Sequence, residues 1–161
     1  MNTLIVYASY HHKNTEKVAL AMADTLNAKM MDFKEVKEKD IKEADLIGFG
    51  SGVYLSKFHG GLVEVIDNLP KMDGKKVFVF STSGMRKSLF LNRAHEHIKG
   101  KLKSKGFTII GEFDCRGFDT FSILKLFGGV NRGKPNEEDL ERARIFASRL
   151  MEKERTDRVG S

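Results

Sequence analysis

Thr3-Leu4-Ile5-Val6-Tyr7-Ala8-Ser9-Tyr10-His11-His12-Lys13-Asn14-Thr15-Glu16-Lys17 is the stretch on which the fold turns. Its first part, Thr3 to Ala8, is an apolar run that does not alternate with polar residues, the mark of a strand covered on both faces. A short polar loop then leads into a segment where Val18, Met22 and Leu26 recur at helical spacing. Strand, loop and helix in that order form half of a βαβ unit. In the loop, Ser9 and Thr15 bracket a basic middle, and backbone N–H groups at a helix opening are a ready site for an anion. Ser9, Asn14 and Thr15 can donate to phosphate oxygens; Asn14 or Thr15 can equally do no more than cap the helix.

The same alternation runs through the rest of the chain, with no repeat or low-complexity tract. Asp45 to Gly50, Lys75 to Thr82 and Phe107 to Phe113 are further apolar runs, and the weaker Lys29 to Phe33 suits an edge strand. Between them, Leu62, Val65, Ile66 and Leu69, then Leu91, Ile98 and Leu102, then Leu140, Ala143, Ala147, Leu150 and Met151 each form one apolar helix face. Asn136 is placed to cap the last helix, with Glu137, Glu138 and Asp139 on the positive end of its dipole. Pro70 and Pro135 fall outside the helices. Right-handed crossovers covering both faces predict an α/β, three-layer doubly wound sandwich, its five-stranded parallel sheet ordered 2-1-3-4-5. Residues 1–154 form one domain in this reading, and 155–161 a polar C-terminal tail that frays.

Composition narrows the classes. The 161 residues, 40% hydrophobic and 31% charged, suffice for one core. A single cysteine rules out an intrachain disulfide framework or a multi-thiolate metal site and fits a reducing, cytoplasmic setting. No apolar stretch approaches the roughly 20 residues that span a bilayer, and no basic segment precedes the first strand, which argues against secretion. The formal charge of +6 favours anionic partners without naming one. Lys99, Lys101, Lys103 and Lys105 spread around a helix and read as a solvated end, not a stripe.

In a doubly wound sheet, ligands sit beyond the carboxyl ends of the strands where the winding reverses. Two further loops lie there, Gly50 to Gly61 and Ser81 to Met85, both small and weakly polar. Such loops let backbone amides approach a flat heteroaromatic ring, while Tyr54 or Phe58 covers its face; for an isolated Tyr, core packing is the plainer role. One ligand with a phosphate and a ring would use all three loops.

Leu4-Ile5-Val6-Tyr7-Ala8-Ser9, the turn from His11 to Lys17, and Gly50-Ser51-Gly52-Val53-Tyr54 resemble the flavodoxin family, and the βα order matches along nearly the whole chain. The resemblance implies a flavodoxin-like fold and a non-covalent FMN. It assigns the phosphate to Ser9, His11, Asn14 and Thr15, the ring to Gly52 and Tyr54, and the pyrimidine edge to Ser81, Thr82, Ser83 and Gly84. Their neighbours Tyr10, His12, Lys13, Ser51 and Val53, with Phe118 touching the ring, complete the candidate cofactor-binding residues. No catalytic or metal-ligating residue is assigned. Lys13 stands where the family usually has glycine, there is no tryptophan, and Met85 occupies a region where the family often has tyrosine. The family also implies a Gly52 carbonyl turned towards the ring by a positive φ.

The implied function is electron shuttling between redox partners, here acidic, ferredoxin-like ones given the basic charge; no nucleic acid is expected. The alternatives are a quinone-linked oxidoreductase of the same fold and a flavin-free anion-binding module. A phosphoacceptor receiver is excluded, because it needs acidic residues where Ala8-Ser9 and Gly50-Ser51 stand. A dinucleotide site of the G-x-G-x-x-G type is excluded, because the first loop has no glycine. His95 reads as a buried, hydrogen-bonded histidine, and His97 faces elsewhere. Cys115 reads as an inert buried thiol. Cys115 to Pro135 is either a short helix on the core or a lid and docking surface with Phe121, Leu124 and Phe127.

Overall fold

The computed structural model describes residues 1–10, 13–84, 89–116 and 133–159. His11, His12, Met85, Phe118 and the Thr120 to Gly128 stretch, on which the sequence reading placed expectations, lie outside the described residues. In chain order the elements are β1 (Thr3–Ala8), α1 (Asn14–Leu26), β2 (Lys29–Asp32), α2 (Glu38–Glu43), β3 (Leu46–Tyr54), β4 (Lys57–Phe58), α3 (Gly60–Asn68), β5 (Lys76–Ser83), α4 (Leu89–Ser104), β6 (Thr108–Arg116) and α5 (Glu137–Val159).

Five of the strands form a parallel sheet ordered β2-β1-β3-β5-β6, and β4 pairs antiparallel with the far end of β3. With the hairpin strand β4 counted, this is the topology the sequence predicts. The registers run without slip from β1 through β5: Ala8 stands beside Ser51, and Ser51 beside Ser81. The one irregularity lies between β5 and β6, at Val77/Phe78.

Two cores flank the sheet. Val6, Ile47, Phe49, Val77 and Val79 face Leu62, Ile66, Ala94, Ile98 and Leu102 of α3 and α4. Ile5, Leu46, Phe78 and Phe80 face Val18, Met22, Ala143, Ala147 and Leu150 of α1 and α5. On the second face, large and small residues interlock across strands. A Cβ on Gly48 would lie 2.4 Å from the Phe78 ring, and one on Gly50 would lie 2.0 Å from the Phe80 ring, so only glycine leaves room for both phenylalanines.

Three differences from the sequence reading have physical causes. The predicted loop from Gly50 is mostly strand: β3 continues to Tyr54 and turns back at Leu55-Ser56, both at positive φ (47° and 64°). That two-residue reversal is the hairpin geometry usually given to Asn-Gly, so Leu-Ser carries no turn signal. Helix α2 escapes notice because a six-residue element with one buried anchor, Ile41, has no periodicity to read; its start is fixed by Lys37 N donating to Asp40 Oδ2 at 3.0 Å. Residues 155–159 are helical: α5 runs to Val159, and Lys76 Nζ reaches Glu154 at 2.8 Å and Asp157 at 3.0 Å.

The other end of α5 is as predicted, with Asn136 Oδ1 accepting from Asp139 N and Asp139 Oδ2 accepting from Asn136 N, each 3.1 Å. The lysine cluster is solvated but engaged: Lys99 pairs with Glu96 and Glu112, and Lys101 with Asp67. Among the described residues no helix is long and apolar enough to cross a membrane.

Candidate functional site

The carboxyl ends of β1, β3 and β5 meet in one rim. Strand β1 ends at Ala8 and α1 begins six residues later, opened by Lys13 in the left-handed region (φ 53°, ψ 31°) with no side-chain cap hydrogen bond. A non-glycine residue costs about 1 kcal/mol in that conformation. Lys13 therefore accepts the backbone that glycine would relax, and its ammonium extends to Glu16 at 3.8 Å, largely exposed. Glu16 N donates to Ser9 Oγ at 3.3 Å, which ties the loop's start to the helix's first turn. Asn14 and Thr15 are buried, and Thr15 Oγ1 lies 2.9 Å from Thr82 Oγ1, linking α1 to β5.

Ser51, Ser81, Thr82 and Ser83 are buried hydroxyls concentrated at these strand ends. Ser51 Oγ donates to the Gly52 carbonyl at 2.7 Å and accepts from His59 N at 2.9 Å. Gly52 pairs with Thr82 inside the sheet and does not have a positive φ, which corrects the expectation of a left-handed Gly52 with a freely turning carbonyl. Its lack of a side chain serves a different end: a Cβ there would meet the Tyr54 ring at 2.8 Å, so the ring folds over Gly52. Tyr54 and Val53 are half-buried, Val53 packing against the α3/α4 core. Phe58 is corrected too: it is 3% exposed with its ring edge-on to His95 at 5.5 Å, a core residue with no free face.

Tyr10, 52% exposed, stacks on the His59 ring at 4.6 Å. Phe33 lies 4.9 Å from His59, and Lys34 Nζ sits 5.3 Å above the Tyr10 ring. His59 also caps α3, its Nδ1 accepting from Gly61 N at 3.1 Å. Burial and the Lys34 charge hold the His59 imidazole below its usual range. Sequence reasoning missed His59, Lys34 and Phe33; a histidine directly before Gly60-Gly61 at a helix start was the available signal.

His95 is buried and hydrogen-bonded as expected, with Nε2 2.7 Å from Ser81 Oγ and Nδ1 3.3 Å from Glu112 Oε2. Ser81 thus turns towards α4, while Thr82 turns towards α1. Cys115 fits the inert reading, because burial pushes its thiol up to about 12.

Of the predicted residues, the structure brings together Ser9, Tyr10, Lys13, Asn14, Thr15, Ser51, Gly52, Tyr54, Thr82, Ser83 and Gly84 at these ends. Among the described residues no group of histidine, cysteine and carboxylate side chains is arranged to hold a metal. An open groove of about 630 Å³ lies at the opposite end of the sheet, lined by Lys42, Asp45, Lys75, Lys76 and Asp157 among others. There Lys75 Nζ donates to Lys42 O and Ala44 O, so its charge is already spent on the protein.

Comparison with known proteins bears on this rim. The family model described as flavodoxin domain matches residues 4–148. A relative described as uncharacterized protein MJ0298, from Methanocaldococcus jannaschii, is 47% identical over 153 residues, covering 94% of this chain and 99% of the relative. Similar solved structures include a short-chain flavodoxin associated with a non-canonical PDU bacterial microcompartment (TM-score 0.72, 22% identity, 95% of this chain and 99% of that one). Another is oxidised flavodoxin 2 from Bacillus cereus (TM-score 0.71, 20% identity, 95% and 99%). A third is a flavodoxin from the domain Archaea (TM-score 0.65, 20% identity, 95% and 98%). At these identities the solved structures establish the fold.

Proposed function

Since the chain belongs to the flavodoxin domain family, whose cofactor is FMN, we propose that it is an electron-transfer protein that holds FMN at the carboxyl ends of β1, β3 and β5 and passes electrons between redox partners. The observation that carries this reading is the opening of α1: a first turn whose N-cap residue, Lys13, gives no side-chain cap, set directly beyond β1 and bound to β5 through Thr15 and Thr82. A phosphate fits such a turn, because it meets the positive end of the helix and can accept from its amides and from the Ser9 hydroxyl, whose oxygen already accepts from Glu16 N. Ser9, Asn14 and Thr15 would hold the phosphate. Tyr54 and the backbone at Ser83 and Gly84 would border the ring. Bound there, FMN supplies one-electron chemistry.

The protein's own residues do the rest. Tyr54, half-buried over Gly52, offers an apolar face that excludes water. Lys13, Lys34 and Lys57 are exposed around the rim, and with a net charge of +6 they favour an acidic, ferredoxin-like partner. Purified protein mixed with FMN should form a yellow complex that is reduced in two separable one-electron steps, by an acidic donor whose rate falls as salt rises. A colourless protein that takes up no FMN contradicts the reading, and saturable turnover of a quinone would replace the carrier with an oxidoreductase.

A further inference from the structure

His95 is a titratable group that the electron-transfer reading does not use. It lies on α4 between Ala94 and Ile98, both buried in the α3/α4 core, where an apolar side chain would pack without losing hydration. Both ring nitrogens instead find partners on the sheet: Ser81 on β5 at 2.7 Å and Glu112 on β6 at 3.3 Å. Ser81 stands near the carboxyl end of β5, which closes at Ser83, so these contacts end directly beneath the strand-end rim.

The charges facing the imidazole are balanced against each other. Glu112 and Asp114 on β6 favour its charged form, while burial and Lys99 on α4 oppose it; Ser81 and the Phe58 ring edge are neutral. Burial is the largest of these influences and holds His95 below its usual range. Lys99 Nζ also lies 3.1 Å from Glu112 Oε2, drawing on the same carboxylate. With the imidazole neutral, the nearby carboxylate favours Nδ1–H, so Nε2 accepts and the Ser81 hydroxyl must donate to it. With the imidazole charged, Nε2–H donates to Ser81 Oγ, and the Ser81 hydrogen is released to turn towards another acceptor.

We propose that His95 is a positioning residue of the strand-end site, gaining a proton from water when the bound FMN is reduced and thereby reversing the Ser81 hydrogen bond. The inference rests on the electron-transfer reading. The electron would come from the redox donor; the new N–H bond at Nε2 forms as an O–H bond of a solvent water breaks, the hydroxide passing to bulk solvent, and no covalent bond of the protein breaks. Negative charge arriving beyond Ser81 favours the imidazolium, and by reciprocity the imidazolium favours reduction.

The test is an NMR titration of the His95 ring in the cofactor-free protein, in the complex with oxidised FMN, and in the same complex reduced anaerobically with dithionite. The expected result is a midpoint at least one pH unit higher in the reduced complex than in the oxidised one, a tenfold gain in proton affinity. His95→Gln keeps hydrogen-bonding groups but cannot titrate, and should lose the pH dependence of the reduction potential that the wild type shows across the reduced complex's midpoint. Bound FMN with a His95 midpoint unmoved by reduction overturns the proposal alone, whether or not the variant folds. An equal pH dependence in His95→Gln does the same. Failure to bind FMN at all overturns the functional reading, and this inference with it.

Discussion

The two ends of the sheet are built on opposite terms. At the amino end, polar groups are consumed by the protein itself: Asn2 N donates to Asp45 at 2.7 Å, Lys75 Nζ to two carbonyls, Lys76 to two carboxylates, and Met72 N to Lys105 O at 2.7 Å. At the carboxyl end, two buried contacts, Thr15 Oγ1 with Thr82 Oγ1 and Ser81 Oγ with His95 Nε2, can run in either direction, and Lys13, Leu55 and Ser56 hold positive φ without being glycine. One end is closed by fixed donors. The other tolerates strain and adjustable polarity, which is where a ligand site is expected to spend stability.

The largest effect should come from the platform the two ends share. Gly50→Ala forces a Cβ into the Phe80 ring, and the protein should lose about 3 kcal/mol in denaturant unfolding. Phe80→Leu in the same chain should restore part of that loss if the clash is the cause. Next is the amino end. Lys75→Met strips the donor from Lys42 O and Ala44 O and should cost about 1.5 kcal/mol of stability, with FMN affinity unchanged within about twofold. The carboxyl end should respond the other way round: Thr82→Val breaks the tie to Thr15, costs about 1 kcal/mol and weakens FMN binding about tenfold. If Lys75→Met harms binding as much as Thr82→Val, the division between the ends fails.

The smallest effect is the acid response. His59 caps α3 through an unprotonated Nδ1, and burial depresses both His59 and His95. The unfolded chain then binds more protons than the folded one, so stability falls as pH drops through the ordinary imidazole value of 6.5 towards the lower folded values. His59→Asn keeps a capping oxygen and should flatten that slope, as read by denaturant unfolding across this pH range. Hydrogen exchange should place the acid loosening at α3 and β4, not around Lys75.

How much of this was legible follows from the kind of signal each part leaves. The strands Thr3 to Ala8 and Lys76 to Ser83 announce themselves as apolar runs, and Asn136 announces its helix through local capping. The first loop was legible because its polar residues are contiguous. The Leu55-Ser56 reversal was hidden, since its residues carry no turn preference. The Ser81–His95–Glu112 contacts were hidden for another reason: their partners are 14 and 17 residues apart and meet only after α4 packs on the sheet. A lone buried histidine tells of a partner without naming it. The continuation of α5 past Arg155 likewise depends on Lys76, far away in sequence.

The most direct test of the account is a titration of the 15N-labelled, cofactor-free protein with FMN, followed by backbone amide shifts. Saturable shifts are expected at Ser9, Lys13, Asn14, Thr15, Gly52, Tyr54, Ser83 and Gly84, with Lys42, Asp45, Lys75 and Asp157 unmoved. Shifts confined to the Lys75 end, or none at all, would contradict it.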